Sequence, residues 1–287
     1  MARFVHTPHL AAGGLSAVGH HPETGADSVR GNRQPLAAPV SVEEAGSVAT
    51  VTFGSGQRLN ALGHADWQEL GDAVQRLAAI PSLRAVVLRG RGGVFCSGFD
   101  VREWEGRTDA EIGRTFEVIE AALQALEDLP VPTLAAVEGT AAGGGCQLAL
   151  ACDLQLLTPS ARIGMPVARL GLLVPATFAN RMALRIGPSR SKDLLFGGRM
   201  LTADQAWSIG LVTTVAPDED ADAALEGILR NWQGSSAASL RAAKAAVNEG
   251  LGLLTEAGRR ARQGPVVDPA EFQGRVEDFL RHRREVL

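Results

Sequence analysis

No stretch of this 287-residue sequence approaches the ~20 apolar residues that a membrane-spanning helix needs. Its start, MARFVHTPHLAAGG, holds no continuous apolar run before its polar and glycine residues. Basic charge is also short: 28 Lys and Arg against 32 Asp and Glu leave a formal net charge of −4. Nucleic-acid and membrane-surface roles, which need a basic face, therefore lose support. A small anionic ligand needs only a local cluster of arginines. Cysteine is scarce, and Cys96, Cys146 and Cys152 lack CxxC spacing, which argues for a reducing, cytoplasmic setting without a disulfide framework. There is no GxxxxGK(S/T) phosphate loop, no GxGxxG after a strand and no GxSxG elbow; GRGGVF comes nearest and fails at its third glycine. Nucleotide hydrolysis, Rossmann redox chemistry and serine hydrolysis all recede.

What is present is an ordinary globular composition, 45% hydrophobic and 21% charged with 33 glycines. Residues 1–38 are rich in Gly, Ala, Pro and His without periodicity and read as a mobile tail. His6, His9, His20 and His21 fall there, and a tail fixes no metal geometry, so no metal site is expected. From Val40 the pattern becomes regular. VSVEEAGSVATVTF predicts two strands about an Ala-Gly-Ser turn. ADWQELGDAVQRLAAI predicts a helix with Trp67, Leu70, Val74, Leu77 and Ile80 on one side. RAVVLRG and TLAAVEG predict buried strands, and the long helix between them ends at Pro130 and Pro132. DLQLLT and ARIGM predict short strands; beyond Pro175 the chain reads as helical apart from GLVTTVA. The expectation is an α/β core over 39–215 with a helical C-terminal region over 216–287.

Two stretches share one grammar. AVVLRGRGGVFCSGFDV and LAAVEGTAAGGGCQLAL each run buried strand, glycine loop, helix start, the first helix opening near Asp100. Glycine admits positive φ and lets backbone N–H groups face outward. A helix start adds unpaired N–H groups and partial positive charge. Two such N–H groups converging on one oxygen would form an oxyanion hole.

VFCSGFDV, AVEGTAAGGGCQLALACDL and IGMPVARLGLL resemble, in order and spacing, the enoyl-CoA hydratase/isomerase (crotonase) superfamily. QRLNAL is similar to its early CoA-binding segment, and LLFGGRMLTADQAWSIGLVTTVAP to its GR…A…A…GLV…V stretch. The resemblance runs from about Val40 to the end. It implies a ββα spiral core, a C-terminal helical trimerisation region and a homotrimer or dimer of trimers. It implies an acyl-CoA substrate, with coenzyme A as part of that substrate and no permanently bound cofactor. By motif, the thioester oxygen falls to the N–H groups of Phe99 and Gly144, and Gly98 and Gly143 beside them fall at substrate-binding positions. Arg58, Leu59, Ala61, Asp100 and Arg102 fall at substrate-binding positions; Asp100 also suits a helix N-cap.

The hydratases of that family use two glutamates, and the matching positions here hold Gln147 and Val167. An amide orients but takes no proton, and valine does neither, so standard syn-hydration is not expected. Glu103 and Glu105, on DVREWEG, offer a substitute base or else a solvated face. Arg169 offers a hold on an acyl carboxylate or is a surface arginine; Thr177 and Asn180 offer hydrogen bonds to the acyl group. Cys96 and Cys146 have no histidine at hand and read as packing residues, and Glu138 as structural. Arg281, Arg283 and Arg284 either reach CoA or form a solvated face. Three readings follow: an acyl-CoA enzyme without the hydratase glutamates, a non-catalytic acyl-CoA-binding protein, and a hydratase with a relocated base.

Overall fold

The computed structural model describes residues 38–260 and 265–285. The tail reading of residues 1–37, its histidines, and the Arg283 and Arg284 side chains lie outside the described residues. Strands β1 (Val40–Ala45) and β2 (Val48–Phe53) form the expected hairpin, turning at Gly46 with φ 63°. Helix α1 (His64–Ala78) then buries Trp67, Leu70, Val74 and Leu77, the spacing of one helical face. Strand β3 (Ala85–Gly90) leads through the first glycine loop to α2 (Asp109–Glu127). Next come β4 (Thr133–Val137), β5 (Thr140–Ala142), α3 (Gly144–Ala151), β6 (Leu154–Leu157) and β7 (Arg162–Gly164). The remainder is α4 (Ala176–Gly197), β8 (Met200–Thr202), α5 (Ala203–Ser208), β9 (Thr214–Val215), α6 (Ala221–Gly234), α7 (Ala237–Arg260) and α8 (Phe272–Glu285).

Six strands form one sheet in the order β1-β2-β3-β4-β6-β9, parallel throughout except for the β1–β2 hairpin. A second sheet, β5-β7-β8, carries the continuation of the glycine loops. Alternate residues of β3 face opposite cores: Val86 and Leu88 meet α1 and α2, while Ala85 and Val87 join Trp232 and Leu225 of α6. Burial on both faces is why the parallel strands read as unbroken apolar runs.

Helix α2 starts on a reciprocal cap. Glu111 N–H donates to Thr108 Oγ1 at 3.3 Å, and the Glu111 carboxylate accepts from Thr108 N–H and Oγ1 at 2.9 Å each. Those bonds, the backbone one foremost, and Arg107 hold the Glu111 carboxyl down at about 2. The helix expected at Asp100 is instead a single 3₁₀ turn, Val101–Trp104, and Gly106 follows with φ 71°. Helix α4 bends at Gly187 and Pro188, where the proline removes a backbone donor.

The segment after residue 264 returns to the core. Leu173 N–H donates to Val266 O, and Asp268 N–H to Gly171 O. Gln273 on α8 then grips the turn after the first glycine loop. Its Nε2 donates to Trp104 O and Arg107 O at 3.3 and 2.9 Å, and its Oε1 accepts from Gly106 N–H at 3.2 Å. Helix α8 thus packs on both the 101–104 turn and the 3₁₀ turn Pro166–Leu170.

Candidate active site

Strands β3 and β4 are parallel neighbours, pairing Val86 with Thr133 through to Arg89 with Ala136, so the glycine loops leave the same edge of the sheet. The loops then zip together. Phe95 N–H donates to Glu138 O, Cys96 N–H to Thr140 O, and Ala142 N–H back to Cys96 O. On the other side, Leu62 takes up Gly98 O and Asp100 N–H, which by strand alternation turns the Phe99 N–H away from it. Gly144 opens α3, so its N–H has no acceptor within the helix.

The two N–H groups arrive side by side. A Cβ on Gly144 would stand 3.7 Å from Phe99 N, and one on Gly98 would stand 3.1 Å from Gly144 N. Among the described residues, neither the Phe99 nor the Gly144 N–H has a hydrogen-bond acceptor. The glycine run is explained position by position. Gly143 takes φ 54° and donates to Gly164 O, while Gly145 packs so tightly that a Cβ would lie 2.1 Å from Cys96 O. Gly144 backs onto Trp67, whose Cζ2 would be 3.1 Å from a Cβ there.

Gln147, one turn into α3, is fully buried. Its Nε2 donates to Phe178 O at 3.3 Å and approaches Met165 Sδ at 3.5 Å, while its Oε1 accepts from Arg181 Nη1 at 3.5 Å. Arg181, on α4, is gripped by two carboxylates of α2: Nη2 to Glu120 Oε1 at 2.9 Å and Nε to Glu127 Oε1 at 2.6 Å. Burial alone would depress the guanidinium pKa; Glu127 and then Glu120 outweigh it and hold it above the ordinary arginine range. Thr177 Oγ1 donates to Glu120 Oε2 at 3.1 Å, so that hydroxyl serves the ion cluster. Asn180, with Arg181, lines a cavity of about 710 Å³ between α2, α4 and α7. Arg181 lines that cavity, whereas Phe99, Gly144 and Val167 do not border it. Val167 is half-buried in the 166–170 turn and packs on the core.

The other sequence-derived residues divide. Asp100 caps its turn through Arg102 N–H and holds two guanidinium groups, Arg58 Nη1 at 2.9 Å and Arg102 Nη2 at 2.8 Å. Both arginine side chains are 47% exposed. Arg58, Leu59 and Asn60 take φ of 54°, 55° and 53°, three successive left-handed residues. Such residues cost ~1–2 kcal/mol each. Buried Asn60 fastens them, its Nδ2 donating to Arg91 O and Val94 O and its Oδ1 accepting from Gly56 N–H. Half-buried Ala61 closes the turn, donating its N–H to Arg58 O. Glu103 is exposed and bound elsewhere, its Oε2 accepting from His64 N–H at 2.9 Å at the start of α1. Glu105 and Arg281 are exposed too. Arg169 is exposed and lies along Gly198, outside any grip on Gln147 or Phe99 that the hydrogen bonds record. Burial pushes the Cys96 and Cys146 thiols up to about 12 and Cys152 higher still, the state of packing residues.

Sequence reasoning missed Glu120, Glu127 and Arg181. Their signal was phase: Glu120 and Glu127 sit four residues after Phe116 and Leu123, on the face of α2 that the apolar residues bury.

The sequence pattern of the enoyl-CoA hydratase/isomerase family matches residues 43–274. The chain is 32% identical over 211 residues to the enoyl-CoA isomerase/hydratase fer4 of Mycosarcoma maydis, covering 72% of this chain and 77% of that protein. It is 31% identical over 216 residues to the mitochondrial methylglutaconyl-CoA hydratase of Homo sapiens, covering 74% of this chain and 64% of that protein. A crystal structure of an enoyl-CoA hydratase from Mycobacterium avium subsp. paratuberculosis K-10 superposes with a TM-score of 0.76 at 26% identity, covering 85% of this chain and 96% of that one. With zipped glycine loops, two converging N–H groups and a match of this extent, the chain belongs to the enoyl-CoA hydratase/isomerase family.

Proposed function

We propose that this chain binds acyl-CoA thioesters and acts on them through the Phe99 and Gly144 N–H groups, in a reaction other than standard syn-hydration. The convergence of those two unpartnered donors carries the reading. An enolate-like state concentrates charge on the thioester oxygen, and one such donor is worth ~10²–10³ in rate. Coenzyme A enters as part of the substrate. We assign its phosphates to Arg58 and Arg102, which Asp100 holds together as a pair with one surplus positive charge.

Gln147 and Val167 supply no base, and each general acid or base of this kind is worth ~10²–10⁴ in rate. Glu103 is committed to the start of α1, and exposed Arg169 is given no substrate role. Decarboxylation, which reaches the enolate by loss of CO2 with no proton removed, fits these residues best, so a lyase is our reading; an isomerase would need a proton-transferring base that the residues named here do not supply. A second reading, acyl-CoA binding without turnover, draws on the packing of Val167 against the core and the full hydrogen bonding of Gln147. We also infer assembly of several copies, supported by Phe196 and Trp207, 80% and 59% exposed.

The test incubates the purified protein with saturated and unsaturated acyl-CoAs in D2O and reads masses. Expected is tight binding without water addition to an enoyl-CoA. Deuterium entering beside the thioester would locate a proton-transferring base and overturn the base-free assignment. Failure of every thioester to bind would overturn the reading itself.

A further inference from the structure

Among the described residues, three buried side-chain nitrogens have no hydrogen-bond partner: Trp67 Nε1, Arg84 Nε and Trp104 Nε1. The arginine is otherwise engaged, since its Nη2 donates to Trp232 O and Ser235 O. Both tryptophans border the two donor loops. Trp67 presents Cζ2, on the edge of the ring that carries its N–H, to Gly144. Trp104 is 3% exposed and stacks on Phe99, centroids 4.5 Å apart and planes 14° from parallel. Phe116 stacks beyond it at 5.9 Å, and Phe272 of α8 tilts against it at 5.8 Å.

We propose that Trp104 determines acyl specificity: its indole N–H donates to a neutral oxygen, an oxo or hydroxyl group, on the acyl chain of the bound thioester. The inference rests on the thioester reading above. Three arguments support it. Bulk alone would be met by phenylalanine, which already stands at 99, 116 and 272, and phenylalanine would leave no orphaned donor. The ring is fixed in place, because Gln273 binds Trp104 O and Asp100 caps the same turn. A fixed, dry donor is worth most to an incoming acceptor. The rings packed on Trp104, those of Phe99, Phe116 and Phe272, carry no charge to receive a carboxylate, so a neutral acceptor is favoured.

The experiment measures Kd by calorimetry for butanoyl-CoA against 3-oxobutanoyl-CoA and 3-hydroxybutanoyl-CoA, and for pentanoyl-CoA against 4-oxopentanoyl-CoA. Wild type and Trp104→Phe are compared after thermal melts establish that both fold. Expected is about tenfold tighter binding of at least one oxygenated ester by wild type, the worth of one buried hydrogen bond. In Trp104→Phe that advantage, read within each protein as the ratio of hydrocarbon to oxygenated Kd, disappears. Wild type without preference for any oxygenated ester, or an advantage that survives in Trp104→Phe, overturns the proposal and leaves the thioester reading standing. Binding of no CoA ester by wild type overturns both.

Discussion

Gly98 is the position where one added carbon should separate the two donor loops. Its φ is 99°, and a Cβ there would lie 2.8 Å from Ala142 O and 3.1 Å from Gly144 N. Ordinary contact needs ~3.5 Å, so Gly98→Ala must push the loops apart by roughly 0.7 Å. Preorganised donors tolerate only ~0.5 Å. Ala142 cannot yield freely, because its N–H is tied to Cys96 O. The matched control is Gly92→Ala, at φ 69° with nothing within 4 Å of the added carbon. Both substitutions carry the left-handed penalty of ~1–2 kcal/mol. Only Gly98→Ala should in addition lose ~10²–10³ in turnover of whichever thioester proves to be the substrate. Thermal melts measure the first effect, and initial rates at saturating thioester, with Kd by calorimetry, the second. A folded Gly98→Ala protein with wild-type kcat and Kd would refute the claim that these loops hold the reacting oxygen.

Further outcomes are expected at three other places. Gln147→Glu combined with Val167→Glu should gain measurable hydration of crotonyl-CoA, read at the loss of enoyl absorbance; a folded, CoA-binding double variant that adds no water would contradict the assignment of those positions. Arg181→Ala strands Glu120, 5% exposed at its side chain, and should cost ~3–5 kcal/mol in denaturant unfolding. A loss below ~1 kcal/mol would mean that the cluster is solvated. Glu111, held at about 2 against an ordinary 4.5, binds fewer protons folded than unfolded in that window. Its stabilisation is complete above pH 4.5 and lost as pH falls towards 2. Glu111→Gln should therefore lower Tm at pH 7 and converge on wild type near pH 2, and parallel Tm curves would count against the cap.

Much of the frame was legible because burial on both faces writes itself as apolar runs. RAVVLRG and TLAAVEG became β3 and β4, and the 3.6-residue period placed Trp67 and Leu70 inward on α1. The glycines told where backbone meets backbone, as Gly145 against Cys96 O bears out. Less legible were features set by long-range partners. The left-handed run Arg58–Asn60 exists only because Arg91 and Val94 carbonyls await the Asn60 amide, and no local propensity signals that. DVREWEG has the residues of a helix but stops after one turn, since Gly106 turns left-handed and Gln273, far along the chain, takes up the freed carbonyls. Glu103 looked like a candidate base because its spacing placed it near the loop; the start of α1, out of sight in the sequence, claims it.

The grip of Gln273 on Trp104 spans 169 residues of sequence. A ribosome making this chain has long finished the donor loops when the residues that clasp their turn emerge. The loops spend that interval without Phe272 over the Trp104 ring, leaving an aromatic face open to water and to chaperones. Closure of so long a loop is also entropically slow, so the last docking event belongs late in refolding.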